Sequence, residues 1–234
     1  MSIAEQLAAI RERIAAAAKR AGRGPDDIAL MAVCKTFPAD AIVEVYAAGQ
    51  RLFGENRVQE FADKFPALGE LHDAEFHMIG HLQSNKTAKA AEIFHAVDSI
   101  DSAKLAQRLN DAAQKLGKTL DVLIEINVGG ELAKSGLAPE SPEIEAILSH
   151  APGWRNLHIR GLMTVPPFTD DPEGARPYFR KLRELRDRLA ACNMPSVNLD
   201  TLSMGMSHDF EVAIEEGSTC VRIGTAIFGV RPKP

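Results

Sequence analysis

The chain has 234 residues, with 27 Lys and Arg against 32 Asp and Glu, for a net charge of −5 at neutral pH. That balance offers no broad attraction to a phosphate backbone and so excludes nucleic acid as an expected partner, while 45% apolar and 25% charged residues exclude a fibre or a disordered chain. No run approaches the roughly 18 consecutive apolar residues of a membrane span, and Met1-Ser2-Ile3-Ala4-Glu5 does not open a secretory signal, so a soluble, cytoplasmic protein is expected.

The chain opens with a helix. Ser2 and Glu5 write a capping box, and Ile3, Leu7, Ile10, Ile14, Ala17 and Ala21 recur in steps of four and three until Gly22 and Gly24-Pro25 end the pattern. Short apolar runs then alternate with longer segments of helical period. The strand Ile28–Cys34 is followed by a helix over Ala39–Ala48, Arg51–Gly54 by Val58–Phe65, Glu75–Ile79 by Lys86–Ile93, and His95–Ser99 by Ser102–Leu116. The second half repeats the rhythm: Leu120–Val128 with Pro142–His150, Asn156–Met163 with Ala175–Ala191, Leu199–Ser203 with His208–Glu216, and finally Thr219–Ile223.

Strands alternating with helices argue for a parallel sheet. Eight of them fit the roughly 250 residues of one α/β barrel. No Gly-, Ser- or Pro-rich linker divides the chain, and Pro166–Pro172 reads as a loop after the sixth strand. The expectation is therefore a single (β/α)8 TIM-type barrel domain over residues 1–234 with an extra N-terminal helix, in preference to an open doubly wound sheet. Cys34, Cys192 and Cys220 are odd in number and lack C-x-x-C spacing, which suits a reducing compartment with each thiol a small buried hydrophobe.

The fifth strand shows its phase most clearly. Val122, Ile124, Ile126 and Val128 form an apolar row for the helix side, which leaves Leu123, Glu125 and Asn127 for the lumen. Glu125 and Asn127 there mean a lumen that is wet or occupied near one end, since a filled core would carry Val, Ile or Leu.

Barrel sites lie at the C-terminal strand ends, with phosphate often held after strands seven and eight. Strand seven ends Leu202-Ser203-Met204-Gly205-Met206-Ser207, and strand eight ends Arg222-Ile223-Gly224-Thr225-Ala226. A Ser-x-Gly-x-Ser turn and a Gly-Thr turn supply backbone N–H groups and hydroxyls, the parts of an anion site. Taken singly, each could be only a cap or a turn. Lys35, in phase with Met31 and Val33 at the end of strand one, then faces the lumen beside that corner. A lysine amine in such a place is a nucleophile for carbonyls. The combination describes a phosphorylated aldehyde or ketone bound as an imine, either pyridoxal phosphate or the sugar phosphate of a class I aldolase. Arg222 interrupts an apolar strand, where a charge is costly unless it is paired or faces a ligand. Pairing with Glu125 or Asp200 is compatible with facing a ring.

Ala32-Val33-Cys34-Lys35-Thr36, Phe53-Gly54-Glu55-Asn56-Arg57-Val58-Gln59-Glu60, Phe76–Lys86, Arg160-Gly161-Leu162-Met163-Thr164, Ser203–Ser207 and Val221–Gly229, in that order, resemble the pyridoxal phosphate homeostasis protein family. The resemblance covers nearly the whole chain, with Cys34 and His81 as variants beside the motif cores. It implies an alanine-racemase-like barrel without that enzyme's second domain. It also implies pyridoxal 5′-phosphate as cofactor, a Schiff base on Lys35, and Arg222 facing the pyridine nitrogen. Ser203, Ser207, Gly224 and Thr225 would surround the phosphate, and Asn56 and Met163 would line the ring. An arginine at that nitrogen leaves it unprotonated and makes the cofactor a weaker electron sink.

Other features are set aside. His77 and His81 have H-x-x-x-H spacing but fall on a strand and its loop, without the glutamate of a zinc helix, so no metal is expected. Lys134-Ser135-Gly136 lies in a loop that could close over the site. Arg180, Lys181, Arg183, Arg186 and Arg188 alternate with acids like a solvated helix face, and Trp154 reads as buried packing. Racemisation needs a second acid/base on the far face of the cofactor, which alanine racemases draw from a second domain. Here the sequence stops at Pro234, and its two tyrosines, Tyr46 and Tyr178, fall in helices. The expected function is thus non-catalytic buffering and delivery of pyridoxal phosphate by a monomer or weak dimer, with apo pyridoxal phosphate enzymes as partners. An amino-acid racemase and a class I aldolase are the alternatives.

Overall fold

The alternating pattern closes on itself. In the computed structural model, which describes residues 2–131, 134–192, 194 and 196–229, eight parallel strands form a closed barrel in chain order. They are β1 (Ala29–Val33), β2 (Leu52–Glu55), β3 (Glu75–Met78), β4 (Ala96–Ile100), β5 (Leu120–Glu125), β6 (Leu157–Met163), β7 (Val197–Met206) and β8 (Cys220–Ile223). The ring is completed by β1 on β8, with Ala29 opposite Cys220 and Met31 opposite Arg222. Helix α1 (Ile3–Arg20) precedes the barrel. Helices α2 (Ala39–Ala47), α3 (Val58–Lys64), α4 (Thr87–Ile93), α5 (Ala103–Lys115), α6 (Pro142–His150), α7 (Arg176–Ala190), α8 (Phe210–Glu215) and α9 (Thr225–Phe228) each follow a strand. The (β/α)8 reading and the extra N-terminal helix are both present.

Strand phase divides the interior into two compartments. Ala32, Cys34, Val122, Ile124, Ile126 and Val128 join the core between sheet and helices. On the lumen side, Val33, Glu125 and Arg222 face the C-terminal end, whereas Met31, Leu123 and Cys220 face the N-terminal end. Asn127 departs from its expected lumen position. The strand stops at Glu125, and the Asn127 amide turns instead to the Glu131 carbonyl at 2.8 Å, bracing the following loop.

Three further elements differ from expectation. β7 runs on to Met206, so Ser203-Met204-Gly205-Met206 is strand and not turn. Gly205 is there for packing: its φ is +97°, and a Cβ would sit 2.6 Å from that of Ala213 on α8. The single turn α9 was not anticipated, because four residues are too few to show a helical period. Cys192 is exposed and not a buried hydrophobe, while Cys34 and Cys220 are buried. No helix among the described residues is long and apolar enough to cross a membrane.

Because α9 is so short, α1 packs where a longer last helix would. Its capping box forms as written, and Leu7, Ile10, Ile14, Ala17 and Ala18 are buried against the barrel. It touches both α8 and α9, with Arg13 paired to Glu211 and Arg20 to Glu215. The guanidinium of Arg13 also lies 4.6 Å from the centroid of the Phe210 ring.

The basic face of α7 is more than a solvated surface. Arg176, Arg180 and Arg183 converge on Glu216 at 3.2, 2.8 and 2.9 Å, and the Glu216 side chain is only 5% exposed. Burial alone would raise the pKa of Glu216, but the hydrogen bonds from Arg180 and Arg176 and the charge of Arg183 outweigh it and hold the carboxyl below its ordinary range. A carboxylate with a depressed folded pKa stabilises the fold above its unfolded pKa, and that stabilisation is lost as pH falls through the folded one. Glu216→Gln should therefore lower stability at neutral pH by about 1–3 kcal/mol. In denaturant titrations the gap from wild type should close as the pH drops below the carboxylate range.

Candidate functional site

At the C-terminal mouth, the chain leaves β1 through a tight turn. The Phe37 amide donates to the Cys34 carbonyl at 3.2 Å, so Lys35 and Thr36 are its two central residues. Thr36 has φ +67°, the sign that type II turns ask of glycine at this position. A β-branched residue there costs roughly 1–3 kcal/mol and persists only where the surroundings hold it.

Lys35 enters a cavity of about 470 Å³, whose walls also include Asn56, Glu125, Ser207, Arg222 and Thr225. That volume lies in the usual range for a small-molecule site. Asn56 follows β2, and its carbonyl is so close to Gly80 that a Cβ on the glycine would lie 2.2 Å from it. Only glycine lets the β2 and β3 ends approach like this.

The corner after β7 and β8 is polar. Gly224 and Thr225 lie beside Ser207, whose hydroxyl accepts from the Ala226 amide at 3.5 Å. Ser207 directly follows β7 and Gly224 directly follows β8, so their peptide groups form this wall together with the hydroxyls of Ser207 and Thr225. Backbone N–H groups and hydroxyls at a cavity wall are the working parts of an anion cradle.

Arg222 forms part of the cavity wall yet is only 3% exposed. Its Nη1 donates to Ser203 Oγ at 2.7 Å and its Nη2 to the Thr164 carbonyl at 2.6 Å. It makes no ion pair with Glu125 or Asp200, so the salt bridge weighed from the sequence is replaced by neutral acceptors. Burial lowers the guanidinium's pKa, opposed by the acidic groups around it, Cys220, Asp98, Asp209 and Glu125. A guanidinium still keeps its proton at neutral pH.

Two expected site residues sit elsewhere. Ser203 is fully buried within β7, and its hydroxyl is taken by Arg222. Met163 is likewise fully buried and does not line the cavity, because it lies opposite Glu125 and Ser203 within the barrel wall. The structure thus brings Lys35, Asn56, Ser207, Arg222, Gly224 and Thr225 together and leaves Met163 and Ser203 behind them. Thr164 was missed as a partner of Arg222. It acts through its carbonyl, which leaves no trace in a side-chain pattern.

The far wall is closed by loops. Glu125 Oε1 accepts from Ser135 at 2.9 Å, and Lys134 donates to the Pro166 carbonyl at 3.0 Å. Glu125 Oε2 is buried with no hydrogen-bond partner, and burial raises the pKa of the carboxyl. His208 Nε2 lies 3.1 Å from the carbonyls of both Thr169 and Asp170, so that nitrogen carries the proton and ties the loop after β6 to the site. The H-x-x-x-H pair separates. His77 meets Asp98 at 3.2 Å in the lower lumen, and His81 meets Asp101 at 3.3 Å at the mouth.

Comparison with known proteins agrees with this geometry. Residues 6–232 match the model of the alanine racemase N-terminal domain family. A pyridoxal phosphate homeostasis protein of Aquifex aeolicus is 48% identical over 231 residues, covering 99% of both chains. The chain belongs to this family. The pyridoxal phosphate homeostasis protein of Escherichia coli K12 is 46% identical, with 98% of this chain and 97% of that one covered. The structure of PipY from Synechococcus elongatus with PLP bound superimposes with a TM-score of 0.84 at 38% identity, over 97% of this chain and all of PipY. The family likeness extends through every strand end that contributes to the cavity.

The corner after β7 and β8 depends on how closely α8 lies on β7, so its integrity can be tested at Gly205. Gly205→Ala combines a left-handed backbone with a clash against Ala213, and should cost about 2–4 kcal/mol. Chemical denaturation should show that loss as a lower midpoint.

Proposed function

We propose that the protein binds pyridoxal 5′-phosphate through Lys35 in the cytoplasm, and that it stores the cofactor and passes it to apo-enzymes, with no substantial turnover of its own. The observation that carries this reading is the meeting, in one small cavity, of a lysine, a buried arginine on neutral acceptors, and a corner of hydroxyls and glycine-rich backbone. The residues fit the group. The corner offers a hydroxyl and N–H donors for a dianion, and Glu125 Oε2 is a buried polar atom that a ligand would complete. Three free cysteines suit a reducing compartment.

When bound, pyridoxal phosphate supplies an aldehyde that condenses with an amine and a ring that can accept electrons from an attached carbon. Lys35 provides that amine as a Schiff base. Ser207, Gly224 and Thr225 take the phosphate, and Asn56 flanks the ring. Arg222 faces the pyridine nitrogen as a donor that does not yield its proton, which keeps electron withdrawal weak. Ser203 contributes at one remove, by fixing the guanidinium, and Met163 by filling the wall behind it.

The racemase alternative would draw on a tyrosine as its second acid/base. Neither tyrosine lines the cavity: Tyr46, on α2, gives its hydroxyl to Asp73, and Tyr178 is part of α7.

Lys35→Ala should abolish both the visible absorption of the bound cofactor and its covalent trapping by borohydride. Trapping of equal yield at other lysines would defeat the assignment. Ser207→Ala combined with Thr225→Ala should weaken pyridoxal phosphate by about 1.5–3 kcal/mol per hydrogen bond lost, with little change for pyridoxal, as read by equilibrium titration of each. Holo-protein incubated with L-alanine in deuterated water should accumulate no D-alanine. Steady inversion there would instead establish an enzyme. Reactivation of an apo-enzyme in the presence of a scavenger of free cofactor should exceed that given by free cofactor alone if transfer is direct.

A further inference from the structure

Of the stretch Phe53–Glu60, only Asn56 reaches the cavity. Its two carboxylates work on the other side of the Lys35 turn, together with Lys64 from the end of the same helix. Lys64 Nζ donates to the Cys34 carbonyl at 3.3 Å, and Glu60 Oε1 accepts from the Thr36 amide at 2.6 Å. These are the peptide groups immediately before and after Lys35. Lys64 also binds Glu55 at 2.8 Å and Glu60 at 3.4 Å, while the Cys34 thiol donates to Glu55 at 3.3 Å. Glu55 is completely buried.

We infer that Glu60 and Lys64 are positioning residues for Lys35: α3 grips the turn on both sides of the lysine and so aims its side chain into the cavity. The inference rests on the reading of Lys35 as the cofactor lysine. The need for a grip follows from the backbone. Thr36 is β-branched and sits at φ +67°, where only an outside partner can keep it. Without Glu60, the peptide between Lys35 and Thr36 turns over and gives Thr36 the negative φ it prefers. That flip changes ψ of Lys35, reverses the peptide dipole beside its side chain and loosens the turn that presents it to the cavity. Lys64 guards the other peptide. Its ammonium, held between Glu55 and Glu60, fixes the Cys34 carbonyl that also closes the turn to Phe37. The arrangement is an ion-paired clamp outside the barrel wall acting on a nucleophile inside it.

The test compares two ligands that share ring and phosphate. Pyridoxal 5′-phosphate reports on Lys35, whereas pyridoxine 5′-phosphate has no aldehyde and reports on the rest of the cavity. Glu60 is partly exposed, so Glu60→Ala leaves no buried charge behind. It should weaken pyridoxal phosphate about tenfold and slow borohydride-trappable adduct formation, while pyridoxine phosphate changes by less than about twofold. Glu60→Gln, which keeps an acceptor for the Thr36 amide, should recover most of the loss. The pair Glu55→Gln with Lys64→Met removes the other grip without stranding a buried carboxylate, and should give the same ligand-selective defect. Wild-type affinity and adduct rate in Glu60→Ala would overturn the inference, as would equal losses for both ligands, which would mark a merely structural role. If trapping is lost in Lys35→Ala but normal in Glu60→Ala, only the clamp fails. If trapping survives Lys35→Ala, the reading of the lysine fails as well.

Discussion

The register of β1 against β8 is the constraint on which the site depends. Met31 lies opposite Arg222 and Ala32 opposite Ile223, so Val33 and Cys34 are level with Gly224 and Thr225, and Lys35 leaves β1 one step beyond them. Residues from opposite ends of the sequence become neighbours only because the sheet closes there. A slip of one residue would turn Lys35 toward the helices and Cys34 toward the lumen, since neighbouring side chains on a strand face opposite ways. The apolar rows of both strands oppose such a slip. Ala32, Val221 and Ile223 are all fully buried in the outer core, so the packing that stabilises the barrel also aligns its chemistry.

Inside the barrel, polarity is arranged by depth. Arg222 is a buried cation, expensive in principle, and its cost is offset by hydrogen bonds to a hydroxyl and a carbonyl instead of a counter-ion. A carboxylate partner would have occupied the space beside the guanidinium and cancelled its field. Neutral acceptors orient it and leave that field directed into the cavity. Ser203 and Met163 belong to this supporting layer, and for the same reason both are sealed from the cavity they help to shape.

Much of this was legible in the residue pattern, and the exceptions have physical causes. The capping box of Ser2 and Glu5, the phase of Val122 and Ile124, and the inward facing of Lys35 and Glu125 follow from fixed geometry of helices and strands. The single turn α9 was too short to carry a period. Gly205 was read as a turn because glycine permits one, whereas here it makes room for Ala213 across the β7–α8 junction. The same reading put Ser203 in a turn, whereas it lies within the strand with its hydroxyl on Arg222. The gathering of Arg176, Arg180 and Arg183 on Glu216, and of Lys64 and Glu60 on the Lys35 turn, joins helices to distant backbone. Such pairings depend on tertiary approach and leave no local periodicity.

The placement of α1 against α8 and α9 has a consequence for synthesis of the protein. The helix is made first, yet its partners are among the last segments to leave the ribosome. At about 5–20 residues per second, Leu7, Ile10 and Ile14 wait on the order of ten seconds or more for the surface that covers them. The barrel gains its closing seam at the same moment, because β1 also waits for β8. Half-made chains of this protein therefore carry an uncovered apolar stripe next to an open strand edge, the combination that chaperones are built to shield.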